Sequence, residues 1–207
     1  MAMTGDEIRD FYARCAAARQ RFQDMAVQSL PKQKVLEQME RLGLALDPEM
    51  GQVSDAELAY AFDLAIHTSA PGRSRAIDRV VRRHASLPGE AALVLNALGR
   101  AWLSIFRVLD RHPEEGLILK DELLGGEVWL VDQSIAETAP PGTVIASRIG
   151  RVLGFCISTG VVAELDENRL AGINAIISRS GVAAETLLED PRFATMMWQD
   201  GLGFRIG

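Results

Sequence analysis

Residues 112–132 read HPEEGLILKDELLGGEVWLVD. GLILKD (116–121) and EVWLVD (127–132) are short runs rich in branched and aromatic side chains, the composition of strands. HPEEG and ELLGG carry the glycines that tight reversals need. Outward in both directions the same texture continues, with AWLSIFRVLD (101–110) before it and TVIASRI (143–149) and RVLGFCI (151–157) after it. APPG separates the third run from the fourth, and Gly150 between the last two predicts the tightest hairpin. Five short strands cannot bury both faces as an open sheet. They predict a small five-stranded antiparallel unit, a curled sheet or a barrel of the SH3-like or OB-like kind.

On either side of this unit the period changes to that of helices. Thr4-Gly-Asp-Glu7 and Ser54-Asp-Ala-Glu57 both have capping-box spacing, in which hydroxyl and carboxylate each accept from the other's backbone N–H. Behind the first, Ile8, Phe11, Tyr12, Cys15 and Phe22 recur at helical steps; behind the second come Leu58, Phe62, Ala65 and Ile66. Val35, Leu36, Met39 and Leu42 mark another helix stopped by Gly43, and further helices are expected near 74–85 and 88–98. LALDPEMGQV (44–53) and SAPGRS (69–74) read as loops. Beyond Gly160, 166–178 and 182–188 again read as helix. The fold class is therefore α+β, divided as a helical region 1–99, a β module 100–160 and a helical tail 161–207. Phe193, Met196, Met197, Trp198, Leu202, Phe204 and Ile206 make that tail apolar enough to dock on the core.

Hydrophobic residues form 48% of the chain and charged residues 24%, the balance of a soluble globular protein. The formal net charge of −6 opposes general adhesion to polyanions. The start lacks a signal peptide's basic and apolar regions, and VLGFCISTGVVA (152–163) is too short to span a bilayer. A cytoplasmic protein without membrane contact is the expectation. Cys15 and Cys156 are too few for a disulfide framework and read as small core residues.

Familiar catalytic constellations are missing from the sequence. His112-Pro-Glu114 matches half of a zinc deaminase site, but no Pro-Cys-x-x-Cys follows to complete the metal shell. Gly201-Leu-Gly203 has no helix after it to hold a pyrophosphate and reads as flexible tail. His67 and His84 fall in last turns of helices, where a partial positive charge suits the free carbonyls. The acids from Asp110 to Asp132 match no calcium loop and read as solvated turn residues. No metal and no cofactor is expected.

The sharper signal is basic. In GRSRAIDRVVRRH (72–84), Arg75, Arg79, Arg82 and Arg83 fall on one helical face, with Arg73 just before them. A guanidinium fork suits phosphate or carboxylate, although a solvated or internally paired face is the plainer reading. Trp129 in the third strand joins these as a binding candidate.

The strand ending at Asp110, PEEGLILKDELLGGEVWLVD and APPGTVIASRIG together resemble a segment of uncharacterised bacterial proteins, some of which carry the short zinc-binding tail known from the SecA translocase. The resemblance covers about 60 residues, includes Arg148 after the Pro-Gly turn, and implies a recurrent β module. The cysteine-rich tail is not in this chain, so no zinc site carries over, and the resembling set has no assigned activity to transfer. The reading is a bacterial interaction module without catalysis, its partner another protein or a second copy. Nucleic-acid binding by the arginine face, which lacks aromatic interleaving, and an enzyme assembled from distant residues are the alternatives.

Overall fold

The computed structural model describes residues 3–44, 53–70 and 72–203. Most of the expected loop 44–53, Pro71, and the tail residues Phe204 and Ile206 lie outside them. Helix α1 (Gly5–Gln28) starts on the expected capping box, with Thr4 N–H donating to Glu7 at 2.8 Å. Helices α2 (Lys32–Arg41), α3 (Asp55–His67), α4 (Ala76–Arg83) and α5 (Gly89–Gly99) complete the N-terminal half. Ser54 and Glu57 cap α3 in the same reciprocal way.

Five strands follow: β1 (Trp102–Arg111), β2 (Leu117–Asp121), β3 (Glu127–Leu130), β4 (Val144–Val152) and β5 (Phe155–Leu165). Their order is β1-β2-β3-β5-β4, and β4 returns to pair with β1, so the sheet forms a ring. It is a mixed sheet, which corrects the all-antiparallel expectation, because β3 and β5 run parallel. The crossing that produces this, from β3 to β4 beside β1, passes through α6 (Gln133–Thr138), a helix the sequence reading missed, with the Asp132 carboxylate capping its first turn. Only six residues long, α6 offered too little periodicity to stand out.

The tightest hairpin also moves. Gly150 lies inside β4, and the chain turns at Leu153-Gly154, where Leu153 adopts a φ of 55°. Gly150 serves packing instead: a Cβ there would stand 2.5 Å from the Ala97 carbonyl oxygen, so its absence lets α5 lie against β4. Gly116 does provide the expected reversal, with a φ of 84° and the Leu130 carbonyl 2.2 Å from where a Cβ would be.

After the ring come α7 (Glu167–Ser180), α8 (Ala184–Glu189) and α9 (Pro191–Gly201). Phe193, Met197 and Trp198 of α9 are buried against Tyr60 of α3 and the strands, so this part of the tail docks on the core. Gly201 ends a helix and packs against Tyr60 and Ala163, which corrects the flexible-tail reading. One apolar cluster joins α2, α3 and α9 to one side of the ring, and another joins α1, α4 and α5 to Phe155 and Ile157 of β5. A third, with Phe106, Leu119 and Ile149, fills the ring itself. Among the described residues no helix is long and apolar enough to cross a membrane.

Candidate functional site

Register slips where β4 meets β5. Ser147 faces Val162 and Ile149 faces Ser158, so Arg148 alone stands opposite Thr159, Gly160 and Val161. Such a bulge leaves backbone groups without ladder partners and turns side chains out of alternation. Gly160, at a φ of 92°, makes the bend. Side chains then satisfy the freed groups: Gln23 of α1 donates to the Thr159 carbonyl at 2.8 Å, Arg19 to the Ser158 carbonyl at 2.9 Å, and Ser147 to the Val161 carbonyl at 2.9 Å.

Two buried carboxylates anchor this polar seam. Asp132 accepts from the Ser158 hydroxyl and lies 3.8 Å from Arg19. Asp63 of α3, with its side chain 0% exposed, accepts from Arg148 Nε at 3.1 Å and Nη2 at 3.2 Å. It also accepts from Trp198 Nε1 of α9 at 3.0 Å and from the Thr159 hydroxyl at 3.2 Å. Burial works to raise the Asp63 carboxyl, but the Arg148 charge and these donors outweigh it and hold it below the ordinary carboxylate range. One carboxylate thus joins the N-terminal helices, the ring and the C-terminal helices.

His67 lies one turn beyond Asp63 and is buried, with neither ring nitrogen hydrogen-bonded to the described residues. Burial, reinforced by Arg148 and Arg75 against Asp63, pulls its imidazole down to about 3. It is neutral, which corrects the reading of a charged histidine complementing a helix end. Likewise Asp121 and Asp132 are buried, not solvated: Asp121 accepts from the Ser104 hydroxyl at 2.6 Å and from the backbone of its own turn.

A second candidate lies where the ring is least closed. Among the described residues one pair, Leu130 and Cys156, joins β3 to β5, with Val131 N–H donating to the Cys156 carbonyl at 2.9 Å. Glu127–Trp129 therefore have β2 on one side and no ladder on the other. A cleft of about 360 Å³ opens there, lined by His112, Ile118, Trp129, Arg151 and Phe155 among others. His112 stacks on Trp129 with ring centres 3.8 Å apart and planes 9° apart, and Phe155 packs on Trp129 at 5.4 Å. Trp129 Nε1 donates to the Glu115 carbonyl at 2.7 Å, so the ring is fixed in place.

The sequence-selected residues separate into three places. Trp129 lines the cleft just described. Arg75 and Arg148, 73 positions apart by their numbers, line one cavity of about 520 Å³ between the helices and the ring. Arg73, Arg82 and Arg83 are exposed, while Arg79 donates to the Ser74 carbonyl and to Ser29 at the far end of α1. The cleft lies at the opposite end of that helix, where Arg9 pairs with Glu115 at 2.5 Å. Twenty-four residues of α1 put about 35 Å between the two ends, so Arg79 and Trp129 serve no common ligand of small size.

Sequence reasoning missed Asp63, His67, Asp132, Thr159 and Arg151. Asp63 left one trace, a charged residue among Tyr60, Leu64 and Ile66 on a helix that should bury that side. Cys15 and Cys156 are buried, and burial pushes both thiols up to about 11, so neither is a ready nucleophile. Compared with known proteins, residues 8–179 match the model of a family of unknown function. No curated protein and no solved structure matches the chain.

Proposed function

The chain belongs to a family of unknown function, DUF7986, and we propose that it is a non-catalytic binding protein whose OB-like β module receives an extended peptide segment of a partner protein. The OB-like reading rests on topology: order β1-β2-β3-β5-β4, a parallel β3–β5 contact, and a helix between β3 and β4. In such modules the surface of the second and third strands, with the flanking loops, takes oligonucleotides and oligosaccharides, which are extended chains. Here that surface carries the cleft of Trp129, His112 and Arg151.

One observation carries the proposal. Among the described residues the β3 edge at Glu127–Trp129 that faces away from β2 has no ladder partner and borders an open cleft, a place where a further strand can add by main-chain hydrogen bonds. Ile118 and Val128 give that strand apolar contacts, and Arg151 and Glu127 give it one charge of each sign. This mixed charge favours a peptide over a polyphosphate backbone, which needs a continuous basic track. The fixed aromatic stack keeps the ordering cost of binding low.

Panning a library of random linear peptides on the chain tests this. Peptides enriched by the wild type should bind Arg151→Glu much more weakly, because that side chain is exposed and its replacement leaves the fold intact. Failure to enrich any peptide, or equal binding to both proteins, would overturn the assignment. Tight binding of single-stranded nucleic acid in the same cleft would replace the peptide by the nucleic-acid reading.

A further inference from the structure

The cavity of about 520 Å³ lies where α3, α5, the start of β1 and α8 meet, at the junction of the helical halves with the ring. Junctions of this kind are common places for small-ligand sites, and the volume is in the ordinary range. Three arginines line it, the exposed Arg100 and the less accessible Arg75 and Arg148, and these last two are each half-used in the same way. Arg148 commits Nε and Nη2 to Asp63. Arg75 commits Nε and Nη2 to Asp78, at 3.0 and 2.6 Å, with Nη2 also reaching the Gly99 carbonyl. In neither does Nη1 hydrogen-bond to any described residue.

His67 lines the same cavity, is 4% exposed, and has no partner for either ring nitrogen among the described residues. A buried polar group without a partner costs stability, and its persistence calls for an explanation such as a missing ligand. Arg148, with its side chain 6% exposed, is a buried charge already oriented by Asp63. Together these residues offer two guanidinium Nη1 groups and one imidazole N–H, donors that no described residue accepts from. The same lining includes the exposed acids Glu185 and Glu189 of α8.

We propose that this cavity binds a small organic molecule through one oxyanion group, a carboxylate or a phosphate, held by Arg75, Arg148 and His67. The paired Asp63 and Asp78 fix the two forks so that binding needs little reorganisation. Glu185 and Glu189 limit the ligand to a single anionic group, since a polyanion would bring further charges against them. The site is independent of the β3–β5 cleft, shares no lining residue with it, and stands whether or not a peptide binds there.

Histidine-selective 15N NMR tests this on the intact chain, which has three histidines. Inorganic phosphate, butyrate and citrate are added in turn. Phosphate or butyrate should move the His67 resonances saturably while His84 and His112 stay unchanged, and whichever acts identifies the class of oxyanion. Citrate should bind no more tightly than butyrate, and Glu185→Gln with Glu189→Gln should remove that discrimination. Arg75→Gln, folded by the unchanged signals of His84, should weaken binding by about tenfold or more through loss of one charge-assisted hydrogen bond. An unmoved His67 with both phosphate and butyrate, equal shifts at all three histidines, or citrate binding tightest would each overturn the proposal.

Discussion

Replacing Asp63 by Asn keeps the shape of the side chain and removes its charge, which makes it the sharpest test of the buried seam. The carboxylate takes four donors in the native protein, from Arg148 Nε and Nη2, Trp198 Nε1 and the Thr159 hydroxyl, at 3.0 to 3.2 Å. An amide offers one oxygen, and its NH2 would face donors. Arg148, at 6% side-chain exposure, would remain charged with no counter-ion. Removing one partner of a buried pair costs about 3–5 kcal/mol, mostly from the charge left behind. That is a large part of a typical domain stability of roughly 5–15 kcal/mol. Urea unfolding followed by tryptophan fluorescence measures it, with Trp198 in contact with the altered site. The double variant Asp63→Leu with Arg148→Met separates charge from packing, because replacing the whole pair removes the stranded ion. It should recover at least about 2 kcal/mol relative to Asp63→Asn, while Trp198 Nε1 and Thr159 still lack an acceptor. A loss below about 1 kcal/mol for the single variant would refute the reasoning, since it would mean that Arg148 reaches water at little cost.

Other consequences follow from the same geometry. Folded His67 resists protonation until about pH 3, whereas the unfolded imidazole takes a proton near its ordinary value of 6.5. Its contribution is therefore constant above 6.5 and turns against folding as pH falls below it, by about 2 kcal/mol at pH 5. Chemical unfolding at pH 7 and pH 5 should show His67→Leu losing about that much less than the wild type. Gly116→Ala should cost roughly 3 kcal/mol or more, since a left-handed backbone and the Leu130 carbonyl both exclude a Cβ, whereas Gly125→Ala, with open space around it, should cost about 1 kcal/mol in the same urea assay. Arg79→Glu with Arg83→Glu, on the α4 face whose Arg79 meets Ser29 at the end of α1 remote from the cleft, should leave peptide affinity unchanged by calorimetry. A parallel loss of peptide binding would show that the arginine face belongs to the same surface.

What could be read from the sequence follows from the range of the forces concerned. Capping boxes at Thr4 and Ser54, glycine turns at Gly116 and Gly125-Gly126, and alternating strand texture are local, and each marks a real element. Gly150 misled because a glycine between two apolar runs signals either a turn or a close approach, and here α5 makes the close approach. The parallel β3–β5 contact depends on a short helix that carries the chain across to β1 before β4 begins, and no residue pattern in β3 announces which strand will lie beside it. The polar seam is more distant still. Asp63 meets Arg148, Thr159 and Trp198 across 85, 96 and 135 residues, so nothing near Asp63 identifies its partners. Trp129 stood out as an aromatic residue in a strand, and Arg148 as the arginine that follows the Pro-Gly turn in the resembling segment. Their separation into different sites became visible only in three dimensions.

Binding at the β3–β5 cleft requires that the edge of β3 be open, and amide hydrogen exchange at single-residue resolution measures that directly. Val131 N–H points toward β5 and is bonded to it, so Trp129 N–H, two residues earlier, points the same way beyond the end of the ladder. In the free chain the Trp129 amide should exchange far faster than that of Leu119, whose strand is paired on both sides. A peptide selected on the chain should then slow Trp129 and leave Leu119 unchanged. Strong protection of Trp129 in the free chain, or no slowing on saturation with peptide, would contradict the account.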